Sequence, residues 1–233
     1  MENKINLNQK LGEVVSIFPK ATETFNKYKI DYCCGGHDTL EAALKAEALY
    51  ASVILEKLNA DYEEFIKKDT SYKDWRKETP TTLIDHILAS HHEFTKKQLR
   101  EIDTLLFKVL KVHFAHHSEE LLKVHRLFGS LKTELEEHLI KEEEQLFPLI
   151  EEWTLTKAEN VFNQIKLFIN TTESEHDAAG NILKELEKVT GDFEAPQDAC
   201  TSFKLVYTKL HELEKDLFIH IYLENSVLFD MIK

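Results

Sequence analysis

The chain has 233 residues, 42 % of them apolar and 30 % charged, with a formal net charge of −13. Residues 1–78 hold 12 Lys and Arg against 14 Asp and Glu, so −11 of that charge lies beyond residue 78, which argues against nucleic acid or an anionic membrane as the main partner. There is no apolar run of roughly 18 residues and no signal-peptide-like start, so the expected compartment is the cytoplasm.

Only 6 Gly and 4 Pro occur in a chain rich in Leu, Glu and Lys, which reads as an all-α protein. The length suits one bundle of roughly 150 residues and a smaller domain. Residues 1–66 read as a small helical N-terminal domain. Pro19 suits the first turn of a helix running to about Tyr28. Asp31-Tyr-Cys-Cys-Gly-Gly-His-Asp38 reads as a turn, because Gly35-Gly36 breaks a helix. Asp38 or Thr39 caps a helix over Leu40–Leu49, and another spans roughly Ala51–Phe65. Residues 67–79, which include Trp75, read as a linker or docking segment.

Residues 80–233 read as four long helices in an up-down-up-down bundle. The expected spans are Pro80–Phe114, Ser118–Ile150, Thr156–Val189 with a stop at Gly191, and Pro196 to the C-terminus. Two of these carry the same pattern, His138-x-x-x-Glu142 and His220-x-x-x-Glu224. Four residues apart on a helix means one face, about 6 Å apart along the axis. Both pairs replace core leucines in the inward series Leu131, Leu135, His138, Glu142, Leu146 and Leu213, Leu217, His220, Glu224, Val227. A carboxylate at a core position is costly unless compensated, and a metal ion is a strong compensator.

Two such helices imply a dinuclear site, which needs histidines from the other two. The third helix offers His176 in the series Ile165, Ile169, Thr172, His176, Leu183. The first offers His92 by the series Ile84, Leu88, His92, Leu99, but a shift of one residue favours His91, and periodicity does not decide between them. Four imidazoles and two bridging carboxylates would give each of two ions two N and two O ligands, with room for an oxo or hydroxo bridge; such a donor set suits iron. Glu134 and Glu175 are candidates for acids that orient ligands or shuttle protons. Glu143 and Glu144 are expected to face solvent, as is the cluster His113, His116 and His117. Adjacent Cys33 and Cys34, with Cα atoms about 3.8 Å apart, are too close for an ordinary disulfide. They are therefore reactive thiols, ligands or packing residues, and Cys200 has no obvious partner.

These residues also carry a resemblance. His138-x-x-x-Glu142-Glu-x-x-Leu-Phe-Pro148, Glu175-His176-Asp177 and His220-x-x-x-Glu224-Asn-x-x-Leu-Phe229 resemble the hemerythrin-like di-iron domain. Asp31-Tyr-Cys-Cys-Gly-Gly36, followed by Asp74-Trp75-Arg76, is similar to the N-terminal domain of the RIC (repair of iron centres) family. The resemblance covers nearly the whole chain. It implies the metal ligands His92, His138, Glu142, His176, His220 and Glu224, choosing His92 because it lies six residues after His86. Oxygen-carrying hemerythrins have a further histidine one turn before the third-helix ligand; here that residue is Thr172. The resulting opening argues against reversible oxygen carriage. Asp230 stands where the family tends to have proline.

The family is associated with restoring iron–sulfur clusters damaged by nitric oxide or oxidants. The resemblance thus implies a stress-response protein with two non-haem irons that donates iron to clusters, or reacts with nitric oxide in nitric oxide reductase-type chemistry. Damaged iron–sulfur proteins and nitric oxide or oxygen are the expected partners, and a homodimer is compatible with the chain. Cys33 and Cys34 would relay iron or nitrosyl groups, with thiolate favoured by a following helix N-terminus. The alternative is a module that binds or senses diatomic gases without catalysis.

Overall fold

The computed structural model describes residues 4–68 and 72–232. Contacts divide it into two compact units, one drawn from the stretches up to residue 83 and from 221 on, the other from 84–220. The C-terminal segment is thus counted with the N-terminal helices by contacts alone. Among the described residues all regular structure is helical, apart from an isolated bridge between Lys10 and Thr39. No helix among them is long and apolar enough to cross a membrane.

The first unit holds α1 (Leu11–Ile17), α2 (Ala21–Lys27), α3 (Leu40–Ala46) and α4 (Ala51–Lys68). Thr39 caps α3 by accepting from the Ala42 amide at 3.2 Å. Leu11, Val14, Phe18, Phe25, Tyr32, Leu40, Leu44 and Leu58 form its buried interior. The segment read as a linker, 67–79, is partly helical: α4 continues to Lys68, and Trp75–Lys77 form a 3₁₀ turn. Asp74 caps that turn and also pairs with the Arg76 guanidinium at 2.9 Å. Residues 69–71 of the segment lie outside the described residues.

The second unit is built on long helices. After α5 (Pro80–His86) and a π-helical turn, α6 (Glu93–Lys141) folds back at His117, whose φ of −128° and ψ of 22° are not helical. Lys96 then reaches Glu143, and Lys132 lies 3.9 Å from Asp103, so the two halves of α6 run antiparallel. After α7 (Phe147–Thr156), α8 (Glu159–Val189) runs antiparallel to the second half, with Lys141 on Glu175. Finally α9 (Thr201–Leu223) runs antiparallel to the first half, with Lys209 on Glu101 and Asp216 on His91.

Two boundaries differ from the sequence reading, each for a local reason. The second long helix does not end near Ile150; α7 carries it to Thr156. Pro148 sits in the first turn of α7, where a missing N–H needs no partner. The other is that α9 begins at Thr201 rather than Pro196, because Pro196–Ala199 close a turn, with Ala199 N donating to Pro196 O. That turn brings Asp198 to His117 at 3.0 Å and Cys200 to His113 at 3.2 Å. Both histidines are half-buried with Phe203 against their rings, so they are not simply solvated, and Cys200 has a neighbour after all.

The core of this unit joins Leu106, Val124, Phe128, Leu131, Leu183, Phe203, Leu213 and Leu217. Phe203 is fully buried and also packs edge-on to Tyr207. Phe203→Ala should cost about 3–5 kcal/mol of stability, measured by urea unfolding followed by far-UV circular dichroism.

Candidate metal centre

The site is assembled from buried side chains where the helices of the second unit depart from α geometry. Residues Ile87–His92 and Glu142–Leu146 form π-helical turns, and a third, Glu224–Leu228, follows α9. Such bulges insert a residue into the helical ladder and are frequent at functional sites. The first one explains the ambiguity between His91 and His92: with an extra residue in the turn, both are buried, while Leu88 of the expected inward series is only partly so.

His92 Nε2 lies 3.2 Å from His220 Nε2, and His138 Nε2 lies 3.1 Å from His176 Nε2. Two nitrogens each about 2.1 Å from one ion and at right angles would stand about 3.0 Å apart. Each imidazole pair therefore has the spacing of two ligands of a single ion. Glu142, 1 % exposed, joins the pairs: Oε1 is 3.3 Å from His138 Nε2, and Oε2 is 3.4 Å from His92 Nε2. Ligand atoms of His92, Glu142 and His220 lie within 4.8 Å of one another, as do those of His138, Glu142 and His176. Within the second unit the donors are thus two pairs of imidazole nitrogens with the Glu142 carboxylate between them.

Glu224 is fully buried. Backbone angles at Leu223 (φ −61°, ψ −33°) carry the helix unbroken from α9 into the next turn, so Glu224 follows His220 as Glu142 follows His138. In both motifs the π turn starts at the glutamate. Thr172 is buried one turn before His176, at the place where an additional ligand would have stood.

Behind the imidazoles, carboxylates set the tautomers. Glu175 Oε2 is 2.7 Å from His138 Nδ1, and Lys141 Nζ is 2.7 Å from Oε1. The hydrogen bond from His138 holds the Glu175 carboxyl down to about 2, burial opposes this, and Lys141 adds to it. An ionised carboxylate only accepts, so His138 Nδ1 carries the proton and Nε2 presents its lone pair to the pocket. Glu143 repeats the arrangement, with Oε1 2.7 Å from His92 Nδ1 and Lys96 Nζ at 2.7 Å. Burial pushes Glu143 up, but hydrogen bonds from Lys96 and His92 outweigh it and keep the carboxyl low.

Imidazole and carboxylate donors in closed, oriented pockets fit iron, among other transition ions. Residues 83–232 match the family described as Hemerythrin HHE cation binding domain. Residues 7–62 match a second family, described as Domain of Unknown function (DUF542). Over 222 residues the chain is 36 % identical to the iron-sulfur cluster repair protein YtfE of Enterobacter sp. (strain 638), covering 95 % of both chains. Identity, length and coverage are the same against the protein of that name from Escherichia coli O8 (strain IAI1). The chain belongs to the RIC family.

The remaining residues singled out in this RIC chain fall into place around the pockets or away from them. Glu134 is exposed, whereas Glu175 and Glu143, the latter expected to face solvent, are hydrogen-bonded to His138 and His92. A one-residue inward rotation at the π turn hid Glu143; its trace in the sequence is a lysine one turn after each histidine, Lys96 after His92 and Lys141 after His138. His91, the alternative that periodicity left open beside His92, is buried too. Its ring stacks on His220 at 5.7 Å with planes 12° apart, and its Nδ1 lies 3.0 Å from Asp216, which holds the stacked ring in place.

In the other unit Cys33 is buried and Cys34 half-buried. The expected thiolate does not hold for Cys33. Its thiol is pushed well up by the hydrogen bond to Cys34, by burial and by the Asp31 carboxylate. The helix supposed to favour a thiolate starts only at Leu40 and has seven residues.

Replacing the acid behind a ligand changes affinity without removing a ligand. Glu143→Leu and Glu175→Leu should each weaken iron retention about 10–100-fold, measured by competition against a chelator, whereas Glu134→Leu should leave it unchanged.

Proposed function

We propose that this protein repairs damaged iron–sulfur clusters, using a di-iron centre held by His92, His138, Glu142, His176, His220 and Glu224. The observation that carries the reading is the single Glu142 carboxylate shared by two imidazole pairs, each spaced as ligands of one ion. The similarity to chains named iron-sulfur cluster repair protein over 95 % of both lengths supports the repair role. Damaged iron–sulfur proteins are accordingly its partners, and the cytoplasm its place of action.

In this reading Glu142 and Glu224 are the two bridges, each on the turn after a ligand histidine. Irons held by these residues would supply a labile cargo for clusters and a place for nitric oxide or oxygen to react. The protein residues set how firmly that cargo is held. Glu143 and Glu175 keep the imidazoles of His92 and His138 in the ligating tautomer, and Lys96 and Lys141 keep those acids ionised. Thr172 contributes no nitrogen where a fifth histidine would bind, which leaves the centre more open and its ions easier to release. His91 and Asp216 brace His220 from the other side.

The test loads the chain with iron and mixes it with a dehydratase stripped of part of its cluster. Dehydratase activity should recover with the wild type and not with a His92→Ala, His176→Ala double variant. Equal recovery with both would sink iron donation, and stable, reversible oxygen adducts in the optical spectrum would favour gas binding instead. Because the metal binds only the folded protein, chelation should also lower the thermal midpoint; saturation at a hundredfold excess over Kd corresponds to about 2.7 kcal/mol. A chelated sample that melts where the iron-loaded one does would remove the metal from the account of stability.

A further inference from the structure

The first unit contains a second cluster of metal-ligating atoms. One ligand atom each from Asp31, Cys33 and Cys34 lies within 4.8 Å of the others. Cys33 Sγ is 3.7 Å from Cys34 Sγ and 3.2 Å from Asp31 Oδ1. Two thiolates each about 2.3 Å from a tetrahedral ion stand about 3.8 Å apart. The sulfurs are thus already at the separation that one ion would impose on them.

The cluster is held by its backbone. Asp31 Oδ1 accepts from the amides of Cys34 at 3.0 Å and Gly35 at 3.3 Å, which points that oxygen at the thiols. Gly35 permits the close wrap, since a Cβ there would stand 2.5 Å from Asp31 O. Beyond it, Asp38 N donates to Gly35 O, and Gly12 N and Leu11 N donate to Gly36 O and Asp38 O, each at 2.9 Å, which ties the turn to the start of α1. Asn225 Nδ2 approaches Cys33 O at 3.5 Å. Neighbouring cysteines do not readily close a disulfide, because their Cα atoms are about 3.8 Å apart against the usual 4.4–6.8 Å. The pair therefore stays available as two thiols, and both are free here.

We infer that Asp31, Cys33 and Cys34 form a binding site for one thiophilic transition-metal ion of the Zn²⁺ or Fe²⁺ class, separate from the His/Glu centre. Sulfur donors select such ions over Mg²⁺ or Ca²⁺. As the ion enters, Cys33 and Cys34 each lose their proton to water. The Cys33 proton now directed at Asp31 Oδ1 gives up its place to the ion, and the two thiolates and the carboxylate become its ligands. Three ligands leave a fourth tetrahedral position for water or for a ligand of another molecule, and the half-buried Cys34 lies on the accessible side. The site stands whether or not the chain repairs clusters.

Co²⁺ alone, titrated into the reduced full-length chain, is the probe. Thiolate ligation gives a sulfur-to-cobalt charge-transfer absorption that nitrogen and oxygen ligands do not produce, so this site is read apart from the His/Glu centre. The wild type should develop that band and saturate at about one ion per chain, and Cys200→Ser should keep it. Cys34→Ser should abolish the band, and Asp31→Asn should weaken binding about tenfold. A wild type without the band, or a band that survives Cys34→Ser and vanishes in Cys200→Ser, overturns the site. Alkylation of Cys34 by iodoacetamide, followed by mass spectrometry of the folded wild type, gives an answer even if Cys34→Ser does not fold. Co²⁺ should slow it at least tenfold, and an unchanged rate also overturns the site.

Discussion

A carboxylate with 1 % exposure, set between two pairs of imidazoles, is the constraint around which the second unit is arranged. Burying an ionised carboxylate costs several kcal/mol unless its oxygens are compensated. Glu142 meets histidines from different helices on its two oxygens, so its placement requires the helix hairpin within α6 to be closed. It likewise requires α8 and α9 to bring His176 and His220 alongside. Helix packing elsewhere in this unit is ordinary apolar packing, from Phe128 and Leu131 to Phe203 and Leu213. That packing supplies the stability that a polar centre of this kind does not.

Two devices adapt α-helices to this task. The π turns at Ile87–His92 and Glu142–Leu146 let consecutive residues serve the interior, so His91 and His92 both point inward and Glu142 and Glu143 both reach histidines. The Lys–Glu–His chains, Lys96–Glu143–His92 and Lys141–Glu175–His138, then transmit charge from the helix surface to the pocket rim. In each chain, hydrogen bonds from the histidine and the lysine together hold the glutamate carboxyl low. The two halves of the centre are built by the same arrangement used twice.

Legibility in the sequence followed the helical period. The inward series on the second, third and fourth long helices lie in the interior as read, His138, Glu142, Thr172, His176, His220 and Glu224 included. Where the ladder shifts by one residue the period fails. Leu88 moves outward, His91 joins His92, and Glu143 turns from an expected solvent residue into the partner of His92. Glu134 was sought as an orienting acid one turn before His138 and lies in solvent; Glu143 reaches His92 from the other half of the hairpin. Helix ends were misplaced where a local turn resets the hydrogen-bond ladder, as at Pro148 and Pro196.

By itself the sequence determined the all-α class and a set of histidines and glutamates on inward faces. These are consequences of composition and of a 3.6-residue period, which are local properties. Tertiary structure decided which nitrogens face each other, that the Glu142 carboxylate meets both pairs, and which acids stand behind the imidazoles. It also decided that Asp31 caps the Cys33–Cys34 turn, and that the C-terminal segment groups with the first unit. Those outcomes depend on distances of a few ångströms between residues 37 to 192 positions apart, and helical periodicity carries no information about such pairs.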